Sequence, residues 1–428
     1  MSTTQVLTPP AYVVVLIITL LGIYLEVLPS NLVTGFGVTM VLGWGLSRIG
    51  DSIPGFRNFG AAPILCILVP ASLVHAGLFP PSAVEMVSSF FYVFIDFLIA
   101  GLIVGSVLSM NREVLVKVGV RLAIPVLGAI AVTFALGGTI GHLTGFGFSE
   151  AILFVVAPIM GGGIGAGAIP MSEIYAAQTG GVSADYMSRL VPAIFVANMV
   201  CVIFAGVLNG LGRGRFASLT GFSGDGDILR VERVALSDAG RINLEAPSSA
   251  SFASLAVGII IASAFYMVGH LVALIIPGVH AYAWMIIATA VVRLGDWAPA
   301  PITRAAGAWY GFVARTWIPA ILVAVSITLI EMEQIIAIMS DPAYLAITVT
   351  TVLCASLSAG FLGVLVSMYF VEAAIIGGLC MADVGGSGDV AVLGASERMH
   401  LIPFAQMSSR LGGALMLVIM SFLAPILV

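Results

Sequence analysis

Two short runs carry residues whose types and spacing could do chemistry within a largely apolar chain. The first is Pro158-Ile159-Met160-Gly161-Gly162-Gly163-Ile164-Gly165-Ala166-Gly167; the second is Met381-Ala382-Asp383-Val384-Gly385-Gly386-Ser387-Gly388-Asp389. Each contains a Gly-Gly-x-Gly tetrad, and each is followed by a Ser-Glu pair, Ser172-Glu173 and Ser396-Glu397. Glycine there lets backbone N–H groups and helix N-termini approach an anion closely, while unwound carbonyls beside them can hold a cation. Close helix packing is the competing explanation of glycine spacing in apolar segments. It accounts for one tetrad well and for a matched pair in opposite halves less readily. A third feature is Arg410, in Ser408-Ser409-Arg410-Leu411-Gly412-Gly413. A planar guanidinium grips a carboxylate through two parallel hydrogen bonds. Its alternative role is a structural pair with Asp389 or Asp383.

The elements that position these residues follow from the apolar pattern. Of the 428 residues, 60% are hydrophobic and 9% charged, far from the balance of a soluble domain. Apolar stretches long enough to cross a bilayer recur from end to end. Lipid satisfies no backbone polar group, so spanning elements are helices or a closed barrel, and long unalternated runs exclude the barrel. We expect an all-α polytopic protein with about eleven spans: 12–28, 32–46, 61–78, 90–108, 122–143, 190–211, 251–276, 282–290, 317–330, 344–368 and 411–428. The glycine-interrupted stretches 151–169 and 373–393 read as re-entrant hairpins.

Charge supports an orientation. With the N-terminus inside, inward loops collect Arg48, Arg57, Arg112, Lys117, Arg121, Arg213, Arg215, Arg230, Arg233, Arg241, Arg293, Arg304 and Arg315, and outward loops hold mostly Glu85, Glu150, Asp185, Glu331, Glu333 and Asp341. Arg189 is the exception. The C-terminus then falls outside, provided both hairpins leave on the side they entered. One hairpin enters from each side, as inverted repeats require. The organisation expected is a first half, 1–211, with a hairpin at 149–173; a polar cytoplasmic linker, 212–250; and a second half, 251–428, with a hairpin at 373–397. Residues 301–317, with Arg304 and Arg315 among Trp309, Tyr310 and Trp317, suit either an interfacial helix or a plain loop. Residues 1–10 carry no basic residue ahead of the first apolar run, unlike a cleavable signal peptide. A net charge of −5, with basic residues in short loops, gives no footprint for nucleic acid.

The remaining polar residues have blander readings. Cys66, Cys201, Cys354 and Cys380 lie in apolar segments without metal-type spacing and read as core residues. Asp96 and Glu372 read as packing anchors, and the five histidines fall near span ends. Gly386-Ser387-Gly388-Asp389 matches the Gly-x-Gly-Asp pattern of intramembrane aspartyl proteases, and Gly385-x-Ser387-Gly388 the Gly-x-Ser-Gly of rhomboid-type proteases. Neither explains the first tetrad, and a channel has no use for a single carboxylate-gripping arginine. The chain is expected not to be an enzyme.

Across nearly its whole length the sequence resembles the 2-hydroxycarboxylate transporter family, which includes sodium–citrate symporters and citrate or malate exchangers. The motifs that carry the resemblance are 158–173, 378–389 and Phe404-Ala405-Gln406-Met407-Ser408-Ser409-Arg410-Leu411-Gly412-Gly413. The resemblance implies a homodimer in the bacterial inner membrane, with a dimerisation part and a transport part that moves like an elevator. It implies substrate held between the hairpin tips, with Arg410, Ser387, Gly386 and Gly165 among the contacts. It also implies cation sites built from hairpin backbone, Gly163 included, and from Met381, Asp383, Ser387 and Ser409. No cofactor is implied beyond a co-transported ion. Citrate carriers of the family have Asn in place of Ile164, a second Arg in place of Val384, and Asn in place of Asp383. Loss of a positive charge and a donor weakens the hold on a third carboxylate by a few kcal/mol. The expected cargo is therefore a malate-like dicarboxylate, with citrate as the alternative. Hydroxyls and free carbonyls suit Na+, while an acid at Asp383 leaves H+ coupling open.

Overall fold

A computed structural model describes residues 8–53, 61–110, 112, 119–213, 219–225, 227–230, 251–276 and 280–427. Among these residues the regular elements are helices, and one isolated antiparallel bridge joins Leu229 to Met368. The helices are α1 (Pro9–Tyr24), α2 (Leu32–Ser52), α3 (Ala61–His75), α4 (Pro81–Leu108), α5 (Gly119–Leu143), α6 (Phe148–Ile159), α7 (Ile169–Thr179) and α8 (Ser183–Arg213). After the central polar segment come α9 (Phe252–Ile275), α10 (Ala281–Leu294), α11 (Ala300–Leu329), α12 (Met332–Met339), α13 (Pro342–Leu365), α14 (Phe370–Ala382), α15 (Ser387–Ala395) and α16 (Ile402–Leu427).

Local sequence explains their ends. Asn31 starts α2 by accepting the Val33 and Thr34 N–H groups at 3.0 and 3.1 Å. Ser251 accepts from Ser254 at the start of α9, and Asp341 from Ala343 at the start of α13, which has Pro342 in its first turn. Such oxygens satisfy N–H groups that the first turn leaves without partners. Gly180 closes α7 in the left-handed region at φ 73°.

Every stretch expected to span contains a helix, although residues 25–28, 76–78 and 366–368 fall outside the helical part. Among the described residues, eight helices are long and apolar enough to cross a bilayer: α2, α4, α5, α8, α9, α11, α13 and α16. Three others are shorter, α1 with 16 residues, α3 with 15 and α10 with 14. At 1.5 Å per residue, 14 residues reach about 21 Å, less than the hydrocarbon thickness of about 30 Å.

Several boundaries move. Residues 301–317 are neither loop nor separate helix but the first half of α11, which runs through a π-helical turn at Val313–Trp317. Pro319 removes one N–H and crowds the carbonyl four residues back, and the widened turn absorbs both effects. The same device precedes Pro158, at Ile152–Val156, and Pro170, at Ile164–Ala168. α4, α8 and α16 begin seven to nine residues before the apolar run suggests, because their first turns carry polar residues that helices tolerate and hydropathy does not register. Of the linker expected at 212–250, only 212–213, 219–225 and 227–230 are among the described residues.

The chain divides into two compact units, residues 1–98 with 314–334 and residues 99–313 with 335–428. In the first, α2, α3 and the second half of α11 pack together. Gly43 permits the approach, since a Cβ there would stand 2.5 Å from the Pro319 carbonyl carbon. Phe36, Phe90, Phe94 and Trp317 form an aromatic cluster with ring centroids 5.2–5.5 Å apart.

In the second unit α5 lies along α13, and the corners that follow them match. A Cβ on Gly138 of α5 would stand 2.5 Å from Phe148 Cε2, and one on Gly360 of α13 would stand 2.6 Å from Phe370 Cε2. One turn on, Gly141 faces Ala151 and Gly363 faces Ala373. Each helix thus turns into a glycine-interrupted hairpin through the same small-residue contact, and the duplicated sequence pattern has a duplicated structure.

Candidate functional site

Each hairpin consists of two broken helical arms around its glycines. α6 stops at Ile159, and Gly162 and Gly163 turn the chain with φ of 77° and 99° into the π turn that leads to α7. α14 stops at Ala382, and Gly385 and Gly386, with φ of 78° and 36°, turn it into α15. L side chains rarely adopt these angles, so glycine is required by conformation. It is also required by space. A Cβ on Gly385 would sit 2.9 Å from the Gly162 carbonyl oxygen, and one on Gly163 would collide with the Val384 carbonyl. The two tips therefore abut backbone to backbone. α16 closes on them in the same manner, with Gly413 against the Gly161 carbonyl and Gly162 against the Ser409 carbonyl.

A cavity of about 80 Å³ opens where these elements meet. By volume it would hold several waters, at roughly 10–15 Å³ of such space each. Gly161, Gly162 and Ala166 line it from the first hairpin, and Gly385, Gly386 and Asp389 from the second. α16 contributes Gln406, Ser409, Arg410, Gly413, Ala414 and Leu417. Their spacing of three and four residues is one helical face. α4 and Tyr310 of α11 supply the opposite wall.

Arg410 lies inside α16, eight residues past its start, and not at the opening of a span. Its guanidinium rests over the Tyr310 ring, 4.3 Å from the centroid, and Nη2 donates to Gln406 Oε1 at 3.1 Å. No carboxylate among the described residues lies within ion-pairing distance of it. The alternative of a structural pair with Asp383 or Asp389 is not what the side chain makes. A half-buried cation held by a ring face and an amide keeps its remaining donors for an anion.

Beside the cavity lies a buried acidic cluster. Asp383 ends α14, and its Oδ1 accepts the Gly385 N–H at 2.6 Å. Asp389 sits in the first turn of α15, where its Oδ1 faces the Ser409 hydroxyl at 2.8 Å. That hydroxyl also lies 2.6 Å from the Cys380 carbonyl. Asp383 is 0% and Asp389 1% exposed, and Oδ2 of each has no hydrogen-bond partner among the described residues. Both carboxylates and the Cys380 thiol offer ligand atoms within 4.8 Å of one another. Buried carboxylates so close and so poorly satisfied need a cation or a proton between them. Asn198 on α8 completes the surroundings, its Oδ1 accepting the Val384 N–H at 3.3 Å.

Most of the expected site residues converge here. Arg410, Gly386 and Ser409 line the cavity, and Asp383 and Ser409 belong to the acidic cluster. Ser387 is the first residue of α15. Gly163 meets the second tip at Val384. Ile164 is 2% exposed, and it, Gly165 and Val384 are not among the residues that line the cavity. Met381 packs its side chain on Gly412, with Cε 2.6 Å from where a Cβ would be. Sequence reasoning missed Cys380 and Asn198 as cluster neighbours, Asp389 as a cluster member in its own right, and Tyr310 and Gln406 as the support of Arg410. The four-residue step from Gln406 to Arg410 was the available signal. Arg189, the exception in the charge pattern, forms an ion pair with Glu150 and places its guanidinium over the Phe154 ring, 3.5 Å from the centroid.

The model of the 2-hydroxycarboxylate transporter family matches residues 4–422. The Na(+)-malate symporter of Bacillus subtilis is 34% identical over 95% of this chain and 89% of its own length. The citrate transporter CitP of Lactococcus lactis is 33% identical over 96% and 91%, and the citrate/sodium symporter of Salmonella typhimurium 32% over 98% and 94%. Matched from end to end in this way, the chain belongs to the 2-hydroxycarboxylate transporter family.

Proposed function

We propose that the protein is a secondary active symporter that moves a small, malate-like 2-hydroxycarboxylate together with Na+. The observation that carries this reading is that Asp389 and Ser409 belong at once to the cavity under Arg410 and to the acidic cluster. One substrate carboxylate pairs with the Arg410 fork, and the glycine tips offer N–H groups to the rest of the anion. Na+ occupies the space between Asp383 and Asp389, with the Ser409 hydroxyl and hairpin carbonyls as further oxygen ligands.

Coupling follows from charge. Without a cation, the carboxylate of Asp389 on the cavity wall repels a dicarboxylate. Unit charges about 4 Å apart interact by roughly 4 kcal/mol at an effective dielectric of 20. A bound cation cancels that repulsion, so each ligand favours the other by the same factor. Val384 and Ile164 place no second cation or amide at the tips, which suits two carboxylates better than three. The homodimer, the elevator-like movement and the bacterial plasma membrane follow from the family resemblance, the orientation with the N-terminus inside follows from the basic residues of the inward loops, and together they complete the reading.

Counterflow tests it. Proteoliposomes loaded with malate should exchange labelled malate rapidly in Na+, with excess external malate competing strongly and citrate weakly. Equal competition by citrate would overturn the dicarboxylate assignment, and Na+-independent exchange that follows pH would give the proton the place of sodium.

A further inference from the structure

We propose that Arg398 is a positioning residue for the transport site, and that residues 219–225 and 227–230 form a strap through which it holds the second hairpin together. The proposal rests on the reading of that hairpin's tip as the cation and substrate site.

Arg398 follows α15 and is 1% exposed, although it is among the most polar side chains a protein has. Its Nε donates to Glu372 Oε1 on the first turn of α14 at 2.9 Å. Nη1 donates to Asn209 Oδ1 on α8 and to the Ser396 carbonyl, both at 2.7 Å, and Nη2 donates to Ser223 Oγ of the strap at 3.0 Å. Glu372, 0% exposed, accepts the strap's Gly224 N–H on Oε2 at 2.9 Å. One buried ion pair thus joins the outer ends of both hairpin arms, α8 and the segment between the halves, with both carboxylate oxygens engaged.

The strap's backbone adds a second set of ties. Its Gly221 and Phe222 carbonyls accept the Phe370 and Val371 N–H groups at 3.0 and 2.9 Å, and Ile228 accepts from Tyr369 at 3.0 Å. N–H groups at the start of α14 that have no partner inside the helix are so satisfied. Phe222 stacks on Phe370 with centroids 5.2 Å apart. Outside, Arg213 reaches both Asp225 of the strap and Glu397.

Comparison with the other hairpin makes the arrangement specific. Glu150 and Glu372 are each the third residue of their hairpin's first arm and each meets an arginine. The pair with Arg189 is partly exposed, 34% for the arginine and 47% for the glutamate, whereas the pair with Arg398 is fully buried. A surface pair contributes little, but a buried, fully hydrogen-bonded pair fixes one arrangement and is costly to break. Cys380 and Asp383 end one clamped arm, and Gly386 and Asp389 begin the other. Their mutual placement therefore depends on the clamp, some ten residues away along each arm.

The experiment uses full-length protein in detergent and measures amide hydrogen exchange across a series of NaCl concentrations, from none upward at constant ionic strength, for wild type, Ser223→Ala and Arg398→Lys. Ser223→Ala removes the strap's acceptor for Arg398 together with its 3.3 Å contact to the Asp225 N–H; Arg398→Lys keeps the charge and the strap's own contacts and loses only the fork. Exchange in 219–225 and 370–372 should accelerate several-fold in both variants. The Na+ concentration that half-protects 383–389 should rise about threefold in Ser223→Ala and tenfold or more in Arg398→Lys. Unchanged exchange in 219–225 overturns the strap. Faster exchange there with an unmoved Na+ midpoint overturns the positioning role and leaves a structural tie only. Absence of any Na+ protection in wild type removes the cation reading and this proposal with it. Should Arg398→Lys fail to fold, Ser223→Ala decides alone.

Discussion

At the scale of single residues the account turns on one cation and two acids. Arg410→Lys keeps the charge but replaces a planar fork by a point, so one charge-assisted hydrogen bond is lost, about 1.5–3 kcal/mol. The KM for malate should rise roughly ten- to a hundredfold in uptake assays, with protein levels intact. Val384→Arg should improve competition by citrate, since position 384 adjoins the second tip where a further cation could meet a third carboxylate. Asp383→Asn removes one buried charge and leaves a hydrogen-bonding side chain beside Gly385. Its half-saturating Na+ concentration should increase, as measured by uptake at varied Na+. Arg410 and Asp383 were legible in the sequence because a charge in an apolar run stands out. Tyr310, Gln406 and Asn198 were not, since neutral polar residues in such runs are common and only the fold shows which of them face a cavity. Arg398 escaped for another reason: it sits in a polar patch beside Glu397, where a solvated charge is the ordinary expectation, and burial by the strap is a long-range event.

At the scale of elements, the glycine spacing announced two places where broken helices turn back on themselves, which hydropathy blurred. The tetrads located both tips to within a few residues, because positive φ and backbone contact exclude other side chains. Gly163→Ala should cost about 1–3 kcal/mol from the strained φ alone, before the collision with Val384 is counted, and should abolish uptake. Gly210→Ala is the control: it lies within α8 with nothing within 4 Å of the new Cβ. It should retain uptake and stabilise the protein by about 0.5–1 kcal/mol, read from thermal inactivation of purified samples. Helix existence was legible throughout, whereas the starts of α4, α8 and α16 were not, since their opening turns carry polar residues. The continuity of α11 was hidden by its interfacial composition and by Pro319, whose effect a π turn absorbs.

At the scale of the whole molecule, two glycine-interrupted hairpins bring their tips to one cavity with an acidic pair beside it, and in the proposed symport that pair ties the anion to a cation. Duplication was visible in sequence as two motifs in opposite halves and is visible in structure as two matching corners, Gly138 on Phe148 and Gly360 on Phe370. The unit boundaries at 98–99 and 313–314 were not foreseen, because they fall inside helices and not in a linker. If more positive charge enters with each dicarboxylate than the substrate carries out of balance, the membrane potential adds about 2.3 kcal/mol per charge per 100 mV to the driving force. The central claim is that a sodium gradient drives the uptake of a dicarboxylate through the acidic pair. Uptake of labelled malate into proteoliposomes, with an inward Na+ gradient and equal pH on both sides, tests it most directly. The account predicts transient accumulation above the external concentration, abolished when Na+ is equal across the membrane and shifted to higher Na+ in Asp383→Asn. Accumulation driven by a pH gradient alone, in the absence of Na+ and lost in Asp383→Asn, would contradict it.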